Sequence, residues 1–439
     1  MPLSFPRSTT RERLGSRVTS WLARPVSLWG CVIGWIVATA VYVTICTVVG
    51  ISTEGDARVS VFIGWALAHG HFACGYPPGS ISRNLAAPIY PLISGAASAI
   101  FRIGHGVTFP SNASLGPHCA TAYAAMDQWA QRSHAWTATL RAGYVGWLAL
   151  AAGSVALLRS SGRGRTRWEP TALILLALTP TVSMCLVEYF HPQDLLALGL
   201  SLGALACVVR GRWALAGALI GLALVTQQYS LLVLAPLVVL APRSRRSEFL
   251  ASLIAAVVLV ALPVIAFSDG RAIKSIVLGT GGQLYSFSLF DETGLRAPLL
   301  FVLARFLPLA AALVVAWWAQ ERLGDRALEA GTLLSLVTVC LCLRLVFEVN
   351  VLGYYFMAVA ATLLIGDVLR GRLRVSLVLW LAAVTVVTLN VFDTNASFHA
   401  VVVWQVVLVA GALALALGPL VKRTRRVSAT GPVTSTRSD

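Results

Sequence analysis

Two carboxylates stand directly after the first long apolar run of the chain, in Glu54-Gly55-Asp56-Ala57-Arg58. A carboxylate there can take a proton from a hydroxyl while that hydroxyl attacks an electrophilic carbon, which is general-base chemistry. The same pair suits a helix start, where an Asp satisfies free amides and the helix dipole. A second polar group, Glu188-Tyr189-Phe190-His191-Pro192-Gln193-Asp194, interrupts apolar sequence. Pro192 fits the first turn of a helix whose N-terminus favours an anion such as phosphate. His191 and Gln193 can add hydrogen bonds, and Asp194 can orient His191 or simply cap the helix. A third break, Thr226-Gln227-Gln228-Tyr229-Ser230, either lines a site or makes a tight hairpin turn, since polar backbone inside a membrane needs cover from protein or water. Later runs end near Arg344, Glu348, Asn350, Tyr354 and Tyr355. Arg344 and Glu348 are one helical turn apart and suited to pair. Arg305 lies about 12 Å inside its run by helical rise, where a cation needs a partner such as phosphate or a wet cavity. Lys274 and Arg296 are weaker candidates that read equally well as solvated surface.

These groups need elements to hold them, and the composition says which. Apolar residues make up 57% of the 439 and charged residues only 12%, too little charge to cover a soluble surface of this size. Continuous apolar runs of about 20 residues recur along the chain, each long enough to cross a bilayer core as a helix. We expect an all-α polytopic membrane protein of about twelve crossings, near 28–51, 136–158, 170–189, 192–209, 213–226, 229–242, 248–267, 297–318, 327–347, 351–369, 375–392 and 400–421. The pair at 213–226 and 229–242 is short and reads as two broken helices or one buried hairpin.

The net charge of +16 does not point to nucleic acid. Its cations fall between alternate runs, as the positive-inside rule requires: in 1–27, after 158, at 210–212 and 243–246, at 370–374 and after 421. This predicts an inner-membrane protein with both termini cytoplasmic: a basic tail 1–27, one transmembrane domain 28–421, and a Ser/Thr/Pro-rich disordered tail 422–439. The polar groups above then face outside. Two outer loops are long, about 52–135 and 268–296, a length that goes with function or disorder. The first is rich in aromatic residues, and its stretches 56–70 and 88–103 read as amphipathic helices along the outer surface. Of eight cysteines, six lie in or beside runs as small core residues. Cys74 and Cys119 share the first outer loop, where an oxidising compartment permits a disulfide, with two free thiols as the alternative. No metal-ligand spacing is present and no cofactor is expected.

The acidic motif after the first run, the long first outer loop and the Pro88-Ile89-Tyr90-Pro91-Leu92 stretch resemble the GT-C class of membrane glycosyltransferases. More specifically, His191-Pro192-Gln193-Asp194, Gln227-Gln228-Tyr229 and Tyr354-Tyr355 resemble glycosyltransferase family 87, which includes actinobacterial polyprenyl-phosphate-mannose-dependent mannosyltransferases. The likeness covers about 28–421. It implies an inverting transfer from a sugar on a polyprenyl phosphate to a glycolipid or polysaccharide acceptor at the outer face. Asp56 matches the family's catalytic aspartate, with Glu54 as the competing base. Arg58, His191, Gln193, Asp194, Gln228, Tyr229, Arg305, Arg344, Glu348 and Tyr354 would hold donor sugar and phosphate. This chain carries Gln227 where related members often have lysine.

Three other readings compete. A transporter or lipid flippase suits the helix count, but should show matching halves and a polar site at the bilayer midplane. A non-catalytic scaffold would lose nothing on Asp56→Asn. Within the class, the donor could carry arabinose or another pentose.

Overall fold

The computed structural model describes residues 19–52, 57, 60, 62, 63, 66, 88–105, 140–267, 297–348, 352–392 and 398–429. Among these the chain is helical, with one isolated β-bridge between Pro25 and Thr166. The helices are α1 (Leu28–Val49), α2 (Ile89–His105), α3 (Tyr144–Ser160), α4 (Trp168–Ala177), α5 (Pro180–Val187), α6 (Pro192–Val209), α7 (Trp213–Leu224), α8 (Ser230–Leu240), α9 (Arg243–Ala266), α10 (Ala297–Leu323), α11 (Ala330–Phe347), α12 (Met357–Leu369), α13 (Val375–Val387) and α14 (Phe398–Ala429). Their starts follow local chemistry. The Ser27 hydroxyl accepts the Gly30 amide at 3.1 Å to cap α1. Pro180 and Pro192 stand in the first turns of α5 and α6, where a missing N–H costs nothing.

Among the described residues six helices are long and apolar enough to cross a membrane: Leu28–Val49, Leu140–Ser160, Pro192–Val209, Arg243–Ala266, Ala330–Phe347 and His399–Val421. The α4–α5 pair makes a seventh if it counts as one span bent by 49°. Among the described residues the helix composition is that of a multi-pass membrane protein with six or seven candidate spans. The expected count of about twelve is not shown, for a physical reason. Hydropathy counts apolar runs, but the runs at Trp213–Leu224, Ser230–Leu240, Gly353–Leu369 and Val375–Val391 form helices of at most 17 residues. The 12 residues of α7 rise only about 18 Å, against a bilayer core of about 30 Å.

α3 and α6 pack backbone against backbone. A Cβ on Gly153 would sit 2.1 Å from the Gly199 carbonyl oxygen, and one on Gly199 2.2 Å from the Ala149 carbonyl carbon. Small residues let the two backbones touch, which drives helix association where lipid offers no hydrophobic gain. α1, α9 and α14 instead expose large apolar side chains, among them Trp29, Ile36, Leu259 and Val403, and read as lipid-facing.

The basic segments gather at one end. The Val26 amide donates to the Arg165 carbonyl at 2.7 Å and the Arg167 amide to the Arg24 carbonyl at 3.1 Å. Arg159 makes a two-pronged pair with buried Glu169, at 2.7 and 3.0 Å. Asp367, fully buried on α12, pairs with Arg370 at 3.2 Å and Arg374 at 2.8 Å. Arg374 also donates to the Leu415 carbonyl at 2.9 Å, and Arg370 to the Ser335 hydroxyl. Asp367 thus ties together the basic ends of α11, α12, α13 and α14. Breaking a buried pair from one side typically costs about 3–5 kcal/mol, because charge is left uncompensated. Asp367→Ala is therefore expected to lower the thermal midpoint in detergent sharply, and an unchanged melt would show that the cluster contributes nothing to stability.

Candidate functional site

The opposite end brings three of the polar groups together. Between α5 and α6 the chain turns through Phe190, a non-glycine residue at φ 50°, in the left-handed region that bulky side chains rarely adopt. Its ring is fully buried and meets the Tyr90 ring edge-on at 6.2 Å. Burial of that ring offsets the backbone strain and turns His191 inward. His191, Gln193 and Asp194 are each at most 3% exposed. Nδ1 of His191 lies 2.9 Å from the Gln193 side-chain amide nitrogen and 3.5 Å from Asp194 Oδ2. The Tyr354 hydroxyl lies 3.3 Å from Nε2, and the two rings stack at 4.5 Å.

The break between α7 and α8 closes on the same turn. Gln227 Nε2 donates to Asp194 Oδ1 at 2.9 Å, and the Tyr229 hydroxyl donates to the Asp194 carbonyl at 2.6 Å. The Gln228 amide donates to Gln227 Oε1 at 2.9 Å. The break is more than a hairpin turn: it supports the carboxylate beside His191.

Arg344, in the last turn of α11, completes the group. Its Nε donates to Glu348 at 3.0 Å. Its guanidinium lies 4.5 Å from the Tyr355 ring centroid and 5.4 Å from that of Tyr229. Cation–π contact and the ion pair together fix the plane of the group. Among the described residues Nη1 and Nη2 make no hydrogen bond, and the side chain is 21% exposed. That is a preset fork of donors suited to a planar or tetrahedral oxyanion.

Other placements follow from the sequence expectations. Glu54, Asp56, Arg58, Cys74, Cys119, Lys274, Arg296 and Asn350 lie outside the described residues. Arg305 is carried on α10, and its side chain lies outside them too. Of the stretch expected as a surface helix at 56–70, Ala57, Ser60, Phe62, Ile63 and Ala66 are helical and buried. They pack into the protein, with the Ser94 hydroxyl of α2 donating to the Ser60 carbonyl at 3.3 Å. The start of α2 also reaches the α7–α8 break, through the Ile89 amide and the Val225 carbonyl at 3.2 Å. The Ser52 amide donates to the Leu186 carbonyl at 3.3 Å, joining the chain just after α1 to the end of α5. The six described cysteines are free and buried. Among the described residues no three His, Cys, Asp or Glu side chains gather to hold a metal.

Sequence reasoning missed three supports. The Tyr189 ring lies tilted against that of Tyr354 at 4.8 Å, as its place beside His191 could have suggested. Gln405 of α14 donates to the Leu345 carbonyl at 2.6 Å, next to Arg344, and a polar residue inside an apolar run was its signal. Gly353 packs against Thr388, where a Cβ would stand 1.9 Å from the Thr388 methyl. Gly353→Ala is therefore expected to push Tyr354 off His191 and to destabilise by about 1–3 kcal/mol, as overpacking does. Adding Thr388→Ser, which removes the methyl, should recover most of the lost melting temperature. Additive losses in the double variant would refute the clash.

Compared with models of protein families, with curated proteins and with solved structures, the chain matches none.

Proposed function

We propose that this protein is a membrane glycosyltransferase that moves a sugar, most simply mannose, from a polyprenyl phosphate to a lipid or envelope glycan at the outer face. The observation that carries the reading is the open guanidinium fork of Arg344, fixed by Glu348 and Tyr355 and joined through Tyr229 to the Asp194–His191–Tyr354 cluster. In an inverting transfer the acceptor oxygen attacks the anomeric carbon, its proton passes to a carboxylate, and the C–O bond pair leaves with the lipid phosphate. Charge then grows on phosphate, where preset donors act most strongly. Asp56 is the base in this scheme and Glu54 its alternative. The Ser52–Leu186 tether supports the assignment, since it holds the chain just before this motif against the end of α5.

In this reading the six long helices and the bent pair cross the membrane, and the four shorter apolar helices and α10 complete about twelve membrane-embedded segments in the GT-C manner. The basic end is cytoplasmic. No cofactor is assigned.

The bent α4–α5 pair and the broken α7–α8 pair favour a transporter or flippase as the second reading, since discontinuous helices often line transport sites. The polar cluster lies at the helix ends, which favours surface chemistry. Purified protein given labelled polyprenyl-phosphate mannose and an actinobacterial lipid extract should form a new glycolipid. No product from any polyprenyl donor, together with lipid or solute flux in vesicles, would overturn the enzyme in favour of transport.

A further inference from the structure

The surroundings of His191 suit two protonation states. In one arrangement Gln193 Nε2 donates to Nδ1 at 2.9 Å, which requires a neutral ring with Nε2–H directed at the Tyr354 oxygen. Turning the Gln193 amide by half a turn brings Oε1 to Nδ1 instead. Gln193 Oε1 is buried and has no hydrogen-bond partner among the described residues, so the turn breaks no bond of that atom. Nδ1–H then faces two acceptors, Gln193 Oε1 and Asp194 Oδ2. Nε2–H keeps Tyr354 Oη, and the Tyr354 ring under the imidazole favours a cation. Every partner that accepts from an imidazolium is therefore in position.

Burial opposes the charge, and so does the cation of Arg344, 5.4 Å from the Tyr229 ring, while the Asp194 carboxylate at 3.5 Å favours it. Among the described residues the other titratable neighbours are Asp194, Tyr229, Tyr354, Tyr355 and Glu348, with Glu188 and Tyr189 in the same turn and Cys185 behind it, where its carbonyl accepts the His191 amide. α3 meets this turn with Gly143 and Gly146, and α2 with Tyr90. An anion on the Arg344 fork would cancel one charge that opposes protonation of His191. We infer that His191, held by Asp194, Gln193 and Tyr354, takes up a proton as an anionic lipid phosphate binds at Arg344, so that a second positive charge meets the second negative charge that appears on the leaving phosphate. The donor diester carries one negative charge. When its C–O bond breaks, the electron pair stays on phosphate as a second charge, while the acceptor's proton goes to the carboxylate base.

This rests on the lipid-phosphate reading above, and the test separates the two. The probe is farnesyl methyl phosphate, a diester with no titration near neutrality. Calorimetry on the full chain in detergent, near pH 7.5 in two buffers of different ionisation enthalpy, counts protons taken up. The wild type should take up a substantial fraction of one proton per ligand, and its Kd should weaken by up to about ten-fold per pH unit above that range. His191→Gln should bind with no uptake. Tyr354→Phe keeps the ring and removes the oxygen, and should lower the uptake without loss of fold. Binding with no uptake, or the same uptake in His191→Gln, overturns the inference and leaves the anion site standing. No binding at any pH overturns both.

Discussion

Arg344→Ala is expected to lower the rate of transfer from a polyprenyl-phosphate donor by about 10²–10³-fold, the usual loss when one preset donor to a developing oxyanion is removed. The guanidinium is already oriented before any ligand arrives. Glu348 holds Nε at 3.0 Å, Tyr355 lies under the plane, and Gln405 secures the neighbouring Leu345 carbonyl. Little ordering cost remains for the ligand to bear, so the loss should fall on the chemical step as well as on donor binding. Arg344→Lys keeps the charge but neither the fork nor the stack, and should stay within about ten-fold of the alanine variant. The measurement is the initial rate with labelled donor, beside a melting curve showing that each variant is folded. Full activity in Arg344→Lys would mean that charge alone matters and would remove the fork from the mechanism.

The second large effect is expected at Asp56. Loss of a general base typically costs about 10²–10⁴-fold, so Asp56→Asn should reduce transfer to the edge of detection while donor binding survives. Glu54→Gln should retain most activity. The reverse pattern would move the base to Glu54, and equal product from both variants would remove carboxylate catalysis at this motif. The packing around the motif explains why a small shift should matter. Ala57 and Ser60 are fully buried, Ser94 bonds the Ser60 backbone, and Ser52 is tied to Leu186. A bulkier residue at Ala57 should therefore impair transfer even with both carboxylates intact.

Much of the helical plan was legible in the chain. Long apolar runs with little charge have few alternatives to helix in a membrane, so the spans near 28–51, 192–209 and 327–347 agree with helices over Leu28–Val49, Pro192–Val209 and Ala330–Phe347. Pro192 marked the start of α6 because its fixed φ and missing N–H fit only a first turn. The break at 226–230 was visible as polar residues between apolar ones, and the pairing of Arg344 with Glu348 followed from their spacing of four. How many helices are long enough to cross was not legible, because hydropathy does not report where a helix ends or bends.

By itself, then, the sequence determined an apolar helical chain, its cations in alternate connections, and four polar clusters far apart along its length. Which clusters meet was decided only by the tertiary structure. Thirty-three residues separate Gln227 from Asp194 and 163 separate Tyr354 from His191, and no local rule links positions so distant. What joins them is packing: the close contact of α3 with α6 through Gly153 and Gly199, the strained turn at Phe190 held by Tyr90, and the seat of Gly353 on Thr388. Each depends on shapes contributed by separate helices, and these become complementary only when the helices are assembled.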